Sequence, residues 1–235
     1  MLSEGDVDRI WFGCGNFGGI GSSPALRSAG DSEDRALTLL DQARRVGLRR
    51  FDTANTYGGG ASEIILGKWL RSQGVSFIQS AQIATKVVSN ASLADVEAVR
   101  RQSPANLAAR FEYVQNEFNL LATADAEGLI PYCAERGLRY TAFSPLAGGL
   151  LTGKYRFGED APSGSRLAHA PQVFGGHLNE ETFAAIERLR DSADALQVTM
   201  AEAALRFVLD TRGVDGLIIA PRRIEHFASL GFAQR

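Results

Sequence analysis

The sequence contains little cysteine and histidine and has no long hydrophobic run. Its 235 residues include two cysteines, Cys14 and Cys133, which neither suggest a disulfide framework nor have the spacing of metal ligands. No apolar stretch approaches the ~18 residues that a membrane-spanning helix needs. Acidic residues near the start are not typical of the cationic beginning of a secretory signal. Together these features predict a cytoplasmic protein without a metal site.

The charges of the chain are nearly balanced. It has 25 Lys and Arg residues against 27 Asp and Glu residues, for a formal net charge of −2. This balance lacks the basic footprint of proteins that bind nucleic acid or anionic membranes. A hydrophobic fraction of 45% is typical of a globular domain, and the length suits a single domain spanning residues 1–235. The composition therefore favours a small-molecule partner, and it predicts no oligomeric state.

Short apolar runs alternate with amphipathic segments along the chain. The predicted strands are Arg9–Gly13, Leu48–Asp52, Ile83–Val88, Phe111–Asn116, Leu138–Phe143 and Gly216–Ile219. The main predicted helices are Glu33–Val46, a helix capped by Ser62, Leu93–Arg101, Asp125–Glu135, Glu180–Leu196 and Met200–Leu209. This order predicts an α/β protein whose parallel sheet is covered by helices. Both a doubly wound open sheet and a β/α barrel fit the alternation.

A glycine-rich stretch follows the first predicted strand. Residues 13–18 read G-C-G-N-F-G, which matches the dinucleotide-binding pattern G-x-G-x-x-G. In a Rossmann unit the third glycine lies in a helix whose N-terminus binds the pyrophosphate. Here the residues after Gly18 are G-I-G-S-S-P, which cannot form that helix. The stretch is therefore interpreted as a turn at the end of a strand, and the barrel is favoured.

Three residues that can carry out proton chemistry lie near the ends of predicted strands. Asp52 ends one strand, Tyr57 follows it in a loop, and Lys86 lies near the end of the next strand. In a β/α barrel such strand ends share one rim, where active sites are found. An ammonium group at an apolar strand end favours a carboxylate partner, which predicts a Lys86–Asp52 pair. A lysine beside a phenol lowers the phenol pKa, so Tyr57 could protonate a carbonyl oxygen.

Further motifs occur in a fixed order around these residues. They include D-T-A with Y-G at 52–58, S-E with L-G at 62–67, T-K at 85–86, S-N at 89–90, Q-N-E with N-L-L at 115–121, and F-S-P-L with Gly149 and Leu151. In this order and over nearly the whole chain, the sequence resembles the aldo-keto reductases, an NAD(P)H-dependent family of (β/α)8 TIM barrels. The resemblance implies that Tyr57 is the general acid, that Lys86 lowers its pKa, and that Asp52 holds Lys86.

The same resemblance implies a binding site for NADPH. Its candidate residues are Gly15, Asn16, Asp52, Ser89, Asn90, Gln115, Phe143, Ser144, Pro145, Leu146, Gly148, Lys154 and Arg222. Within this set, Ser89, Asn90 and Gln115 match positions that bind the nicotinamide carboxamide, and Phe143 matches an aromatic residue that stacks on the ring. The stretch from Ser144 to Lys154 matches the loop around the pyrophosphate. Arg222 matches a base for the 2′-phosphate, which favours NADPH over NADH.

The sequence departs from the family pattern in its middle. In the family, two helices and a strand that ends in the catalytic histidine separate the Thr-Lys strand from the Ser-Asn motif. Here only Val87 and Val88 lie between them, and no histidine precedes His169. About six of the eight strands are therefore recognisable, which predicts an incomplete barrel. Either the reductase carries a natural deletion, or the sequence omits a segment of a longer polypeptide.

Two functional hypotheses follow. The first is an NADPH-dependent oxidoreductase that reduces an aldehyde or ketone. The second is a catalytically impaired NADPH-binding or interaction protein, because the histidine is missing. The missing strands also allow that the chain does not fold stably by itself. The sequence does not identify the substrate.

Overall fold

The chain alternates strands with helices, as the sequence predicts. The computed structural model describes residues 1–86, 91–102, 112–163, 165–169 and 178–233. The strands are β1 (Ile10–Gly13), β2 (Arg50–Ala54), β3 (Gln82–Lys86), β4 (Tyr113–Glu117), β5 (Arg139–Phe143) and β6 (Gly216–Ile219). The helices are α1 (Glu4–Val7), α2 (Glu33–Arg45), α3 (Ala61–Arg71), α4 (Val75–Ser80), α5 (Leu93–Gln102), α6 (Leu129–Glu135), α7 (Arg166–His169), α8 (Glu180–Leu196), α9 (Met200–Asp210) and α10 (Glu225–Ser229). Short 3-10 helices occur at Pro24–Ala29, Tyr57–Gly60, Ala124–Ala126 and Ala147–Thr152.

The chain divides into two compact units, which are described separately. The N-terminal unit comprises residues 2–90, 218–228 and 232–235. The C-terminal unit comprises residue 1 with 91–217 and 229–231. Strand β6 contributes its first two residues to the C-terminal unit and its last two to the N-terminal unit. That the chain is one domain stays a prediction.

In the N-terminal unit, β2 pairs in parallel with β1 on one side and with β3 on the other. Gly13 lies so close to the end of β6 that a Cβ there would be 2.8 Å from Cγ2 of Ile218. An aromatic cluster packs beside β2, where the ring of Trp69 lies 5.0 Å from Phe51 and 5.4 Å from Phe77. Aromatic rings at these distances add to the energy of apolar burial, so this cluster supports the strand that carries Asp52.

In the C-terminal unit, β5 pairs in parallel with β4 and with β6. The two long helices α8 and α9 and the 3-10 helix at Ala147–Thr152 share one apolar core. Its buried members include Leu150, Leu151, Ile186 and Ala204. This core anchors the turn that follows β5, a turn that contains several predicted cofactor residues.

The strand order is β3-β2-β1-β6-β5-β4, a sheet of six strands. The parallel pairings, with helices between successive strands, confirm the α/β prediction. The six strands that the described residues form also agree with the predicted incomplete TIM barrel. No helix follows Gly18 directly, since the next regular element begins at Pro24. The glycine-rich stretch is therefore a turn, as predicted.

The structure differs from the sequence prediction at Ser62. The sequence predicts that Ser62 caps α3, but Gly60 occupies the N-cap position and makes no side-chain cap bond. Ser62 lies inside the helix and is fully buried. Its hydroxyl donates to the carbonyl oxygen of Cys14 over 2.9 Å. The capping prediction is wrong because the helix already begins at Ala61, so Ser62 lies inside it and its hydroxyl bonds to Cys14 and Thr53.

Some predictions fall outside the described residues. These are the Val87–Val88 junction, the Ser89–Asn90 motif and His177. Both cysteines, Cys14 and Cys133, are buried, and neither forms a disulfide. No helix in the described ranges is long and apolar enough to cross a membrane.

Candidate functional site

Asp52 lies in the middle of β2 and is almost completely buried, with 3% of its surface exposed. In the sheet it pairs with Gly13 of β1 and Ala84 of β3. Its carbonyl oxygen accepts a hydrogen bond from the Cys14 amide over 2.8 Å. A buried carboxylate is costly unless it has polar or cationic partners. The position therefore suits a carboxylate that pairs with a polar or cationic group inside the protein.

Tyr57 begins the 3-10 turn that follows β2. The next three residues, Gly58, Gly59 and Gly60, all have positive φ, at 58°, 68° and 95°. A side chain would be strained at such angles, and a Cβ on Gly58 would lie 2.5 Å from the carbonyl oxygen of Phe17. The glycines therefore allow this turn to pack directly on the loop after β1.

The ring of Tyr57 lies against Gly15 in that same loop. A Cβ on Gly15 would be 3.5 Å from Cε2 of Tyr57, and the tyrosine is only partly exposed. Asn16, beside Gly15, is buried, and its carbonyl oxygen accepts from the Asp31 amide over 2.7 Å. The structure thus brings Tyr57 and Gly15 together in the loops that follow β1 and β2, beside buried Asn16.

A hydrogen-bonded pair of hydroxyls supports the loops that carry Tyr57 and Gly15. The Oγ1 atom of Thr53 and the Oγ atom of Ser62 are 2.8 Å apart, and both residues are buried. Since Ser62 also donates to Cys14, the pair ties β2, α3 and the end of β1 together. Sequence reasoning missed this hydrogen-bonded pair, because it assigned Ser62 to a helix cap.

Lys86 is the last residue of β3, and its backbone pairs with Ala54. Ala54 follows Asp52 by two residues along β2, so the register brings position 86 to the same end of the sheet. The side chain of Lys86 and the residues Ser89 and Asn90 lie outside the described part. The Lys86–Asp52 pair therefore stays a prediction.

Arg222, which follows β6, belongs to a charged cluster in the N-terminal unit. Its Nη2 atom lies 3.4 Å from Oδ1 of Asp31, and Nε of Arg35 lies 3.2 Å from the same oxygen. Arg35 also donates to the carbonyl oxygen of Arg222 over 2.6 Å. Two guanidinium groups thus share one buried carboxylate, which leaves an excess of positive charge.

One atom of this cluster lacks a partner. The Nε atom of Arg222 is buried and has no hydrogen-bond acceptor among the described residues. The rest of the Arg222 side chain is 38% exposed. A buried donor without an acceptor is costly, so an added anion would satisfy it.

In the C-terminal unit, Gln115 and Phe143 lie on the paired strands β4 and β5. Gln115 pairs with Thr141, and Glu117 pairs with Phe143 at the carboxyl end. Both Gln115 and Phe143 are partly exposed. Each is therefore accessible from outside the core at or near a strand end.

The turn after β5 has an unusual backbone. Ser144 and Ala147 have positive φ values of 52° and 47°, which is uncommon for residues other than glycine. The carbonyl oxygen of Ser144 accepts from the side chain of Asn119 over 3.1 Å and from the Ala147 amide over 2.9 Å. Such strain is maintained only by its surroundings and is often found at functional sites. Asn119, which is 1% exposed, is thus a supporting residue whose role sequence reasoning missed.

The remaining residues of this turn include further predicted cofactor positions. Pro145 is buried, Leu146 is partly exposed, and Gly148 has a φ of 64°. Gly149 leaves room for Lys154, because a Cβ there would lie 2.8 Å from its Nζ atom. An ammonium group therefore lies directly over the turn, and this arrangement could accept an anionic group.

A second network in this unit was also missed. The side-chain amide of Asn116 donates to the carbonyl oxygen of Ala91 over 2.8 Å, and its oxygen accepts from the Ala91 amide over 3.0 Å. Its nitrogen also donates to Oδ2 of Asp125, which accepts the hydroxyl of Tyr140 over 2.7 Å. Burial and this bond to Asp125 raise the pKa of Tyr140, so the phenol stays a donor. The network fixes the backbone immediately after Asn90.

In the part of the chain that the structure describes, no group of histidine, cysteine, aspartate or glutamate residues is arranged to hold a metal ion. The N-terminal unit supplies a buried carboxylate, a partly exposed phenol and guanidinium groups, and the C-terminal unit supplies the exposed ammonium group of Lys154. These groups are suited to proton transfer and to binding an anionic cofactor.

Comparison with known proteins supports the resemblance. Residues 9–112 and 88–232 match the model of the family described as "Aldo/keto reductase family". A protein of Bacillus subtilis described as "Uncharacterized oxidoreductase YrpG" is 23% identical over 295 residues, which cover 93% of this chain and 85% of that protein. This alignment is longer than the chain itself, so it includes positions that the chain lacks.

Other similarities cover less sequence or show the fold alone. A "Probable voltage-gated potassium channel subunit beta" of Arabidopsis thaliana is 32% identical over 112 residues, or 46% of this chain. The chain spans about a third of that relative, since the match covers 34% of it. The solved structure of the glycerol dehydrogenase AKR11B4 from Gluconobacter oxydans has a TM-score of 0.67 and 20% identity, and the match covers 95% of this chain and 85% of that one.

Proposed function

Since the chain belongs to the aldo/keto reductase family, we propose that it is an oxidoreductase that transfers hydride from NADPH to an aldehyde or ketone. The observation that carries this proposal is the turn of Tyr57, which places a partly exposed phenol at the end of the strand that holds buried Asp52. The Bacillus relative described as an oxidoreductase supports the same reaction class.

Three features support NADPH as the cofactor. Arg222 has a side chain that is 38% exposed and a buried Nε atom that finds no acceptor among the described residues, which suits the 2′-phosphate. The strained turn after β5 and Lys154 suit the pyrophosphate. We assign Gln115, with Ser89 and Asn90, to the carboxamide, and Phe143 to the face of the nicotinamide ring. When bound, NADPH supplies the hydride.

Tyr57 supplies the proton in this proposal. Its O–H bond breaks as the substrate carbonyl oxygen accepts the proton, and the carbonyl carbon accepts hydride, so the product is an alcohol. The phenolate that remains needs a nearby positive charge, which we assign to Lys86. Buried Asp52 would hold that ammonium group in place. Tyr57 is reprotonated from solvent before the next turnover.

The Tyr57→Phe variant tests the proton donor. It removes only the hydroxyl, so we expect NADPH binding within about twofold of wild type and a loss of turnover of about 100-fold or more. Cofactor fluorescence measures binding, and the consumption of NADPH with a simple aldehyde measures turnover. Tyr132→Phe, on α6, is the matched control and should change neither. Unchanged turnover in Tyr57→Phe would refute the assignment.

The Arg222→Gln variant tests the cofactor preference. A charge-assisted hydrogen bond contributes about 1.5–3 kcal/mol, so NADPH affinity should fall by about tenfold or more. NADH lacks the 2′-phosphate and should bind with unchanged affinity. An equal loss for both cofactors would show that Arg222 acts through folding and not through the phosphate.

A second candidate function follows from the absence of histidine before His169. The chain would then be an NADPH-binding or interaction protein with impaired catalysis. Saturable NADPH binding without reduction of any aldehyde would favour this candidate. In either case we propose a cytoplasmic location, because neither buried cysteine forms a disulfide.

A further inference from the structure

A basic cavity lies in the N-terminal unit at the end of α2. Its volume is about 420 Å³, and its lining residues are Asp41, Arg44, Arg45 and Arg49. Arg49 directly precedes β2, whereas Tyr57 follows the same strand. A strand of this length separates its two ends by about 13 Å. The cavity is therefore distinct from the candidate active site, and the proposed function does not involve it.

The positive charge of this cavity is not cancelled. Oδ1 of Asp41 accepts a hydrogen bond from the Trp69 indole over 2.8 Å. Within the described ranges, no carboxylate lies at ion-pair distance from Arg44, Arg45 or Arg49. Three guanidinium groups thus line the cavity with a single carboxylate. Like charges held near each other raise the energy of the unliganded protein.

Two of these arginines are held in place by neutral groups. Arg44 donates to the side-chain oxygen of Gln73 over 2.6 Å, and Arg49 donates to the carbonyl oxygen of Leu48 over 3.0 Å. Their guanidinium carbons lie 5.0 Å and 5.2 Å from the centre of the Phe77 ring. Contacts of this kind fix the side chains and leave their charge available. Binding an anion here would cost little further ordering.

We propose that this cavity binds a small phosphate-bearing anion. Arginine forks match the oxygens of phosphate groups and bind them through paired hydrogen bonds. The volume is within the ~300–1,000 Å³ range of small-molecule sites. The excess of positive charge selects an anion over a neutral or cationic ligand. Since the site lies at the far end of β2 from Tyr57, its ligand is not the reduced substrate.

Titration calorimetry with inorganic pyrophosphate tests the proposal on the full chain at low salt. We expect saturable binding that weakens as salt is added. In Arg45→Gln and Arg49→Gln the affinity should fall by about tenfold or more, the effect of losing a charge-assisted contact. Arg212→Gln, an exposed arginine of the C-terminal unit, is the matched control and should bind as wild type.

Two outcomes would overturn the proposal. One is the absence of saturable binding at low salt. The other is binding that Arg222→Gln abolishes and Arg45→Gln preserves, which would put the ion in the candidate cofactor site. If Arg49→Gln unfolds the protein, the pyrophosphate affinity of Arg45→Gln decides the test. The Arg45 side chain is exposed, so its replacement should not unfold the protein. NADPH binding is measured in the same variants, so failure of the proposed function is detected separately.

Discussion

Asn116 has every polar hydrogen and its oxygen engaged, although it lies in the interior of the C-terminal unit. Two of its bonds go to the backbone of Ala91, and the third goes to Asp125, which Tyr140 also contacts. Buried polar groups stabilise a protein only when all of their partners are present. The network should therefore behave as one energetic unit.

Removing members of this network should destabilise the protein unequally. Asn116→Ala leaves several groups unpaired and should lower the free energy of unfolding by about 2–4 kcal/mol, whereas Tyr140→Phe should lower it by about 1–2 kcal/mol. The double variant should lose less than the sum, since both residues act through Asp125. Urea unfolding measures all three variants. Additive losses would show that the two side chains are independent.

Glu202 is a second buried residue whose charge depends on its partners. Burial alone would raise its pKa, but the hydrogen bonds from Arg206, at 2.8 Å and 3.1 Å, and the N-terminal ammonium group, 2.9 Å from Oε1, together outweigh burial and lower the pKa. A carboxyl group with a lowered pKa in the folded state stabilises the protein above its unfolded pKa. This stabilisation disappears as the pH falls through the folded-state pKa.

Glu202→Gln should therefore lower the unfolding free energy at pH 7 by about 1–3 kcal/mol. The difference from wild type should shrink as the pH falls from the unfolded pKa of about 4.3 through the lower folded-state pKa, because the wild-type carboxyl group becomes protonated first in the unfolded and then in the folded protein. Denaturant unfolding across this pH range measures the effect. Glu187→Gln, at an exposed ion pair with Arg190, is the control and should change stability less. A difference independent of pH would contradict the assigned role of the charge.

At the scale of elements, the turns after β2 and β5 depend on glycine at defined positions. Gly58→Ala should destabilise the protein by about 2 kcal/mol or more, because a positive φ and a backbone oxygen 2.5 Å from the new Cβ both oppose it. Gly67→Ala is the matched control, since α3 has room for a Cβ there. It should stabilise by about 0.5–1 kcal/mol. Thermal unfolding distinguishes the two variants, and equal effects would contradict the argument.

Much of the fold could be predicted because apolar runs and amphipathic periodicity mark most strands and helices locally. The helix Glu180–Leu196 and the strand Gly216–Ile219 have the predicted bounds. Helix α4 was missed, since Val75–Ser80 is short and begins at Gly74 without a side-chain cap. Ser62 was misassigned because its acceptor, Cys14, lies in a loop far away in sequence, directly after β1.

The candidate site was predictable only in part. Motif order pointed to Asp52, Tyr57 and Arg222, since each lies within or shortly after a recognisable strand, and their roles stay predictions. It could not show that Arg35 and Arg222 share Asp31, because such a contact joins residues far apart in sequence. Asn116 was noticed as part of a motif, but its bond to the Ala91 backbone has no sequence signature.

At the scale of the whole molecule, β6 should couple the unfolding of the two units. Leu217 and Ile218 are neighbours in this strand and belong to different units. The tryptophans, Trp11 and Trp69, both lie in the N-terminal unit, whereas long helices lie in both units, among them α2 in the N-terminal unit and α8 in the C-terminal unit. Tryptophan fluorescence and far-ultraviolet circular dichroism should therefore give coincident unfolding transitions. Two separated midpoints would show that the units unfold independently.

The two buried thiols also allow the rate of local opening to be measured in each unit. Cys14 and Cys133 have no exposed surface, and one lies in each unit. A thiol reagent can alkylate either sulfur only after the surrounding structure opens. The alkylation rate at each site, measured by mass spectrometry, thus times the opening of its own unit. The Cys14 amide donates to the carbonyl oxygen of Asp52. The alkylation rate at Cys14 therefore also reports the opening of the structure beside the strand where we place the chemistry.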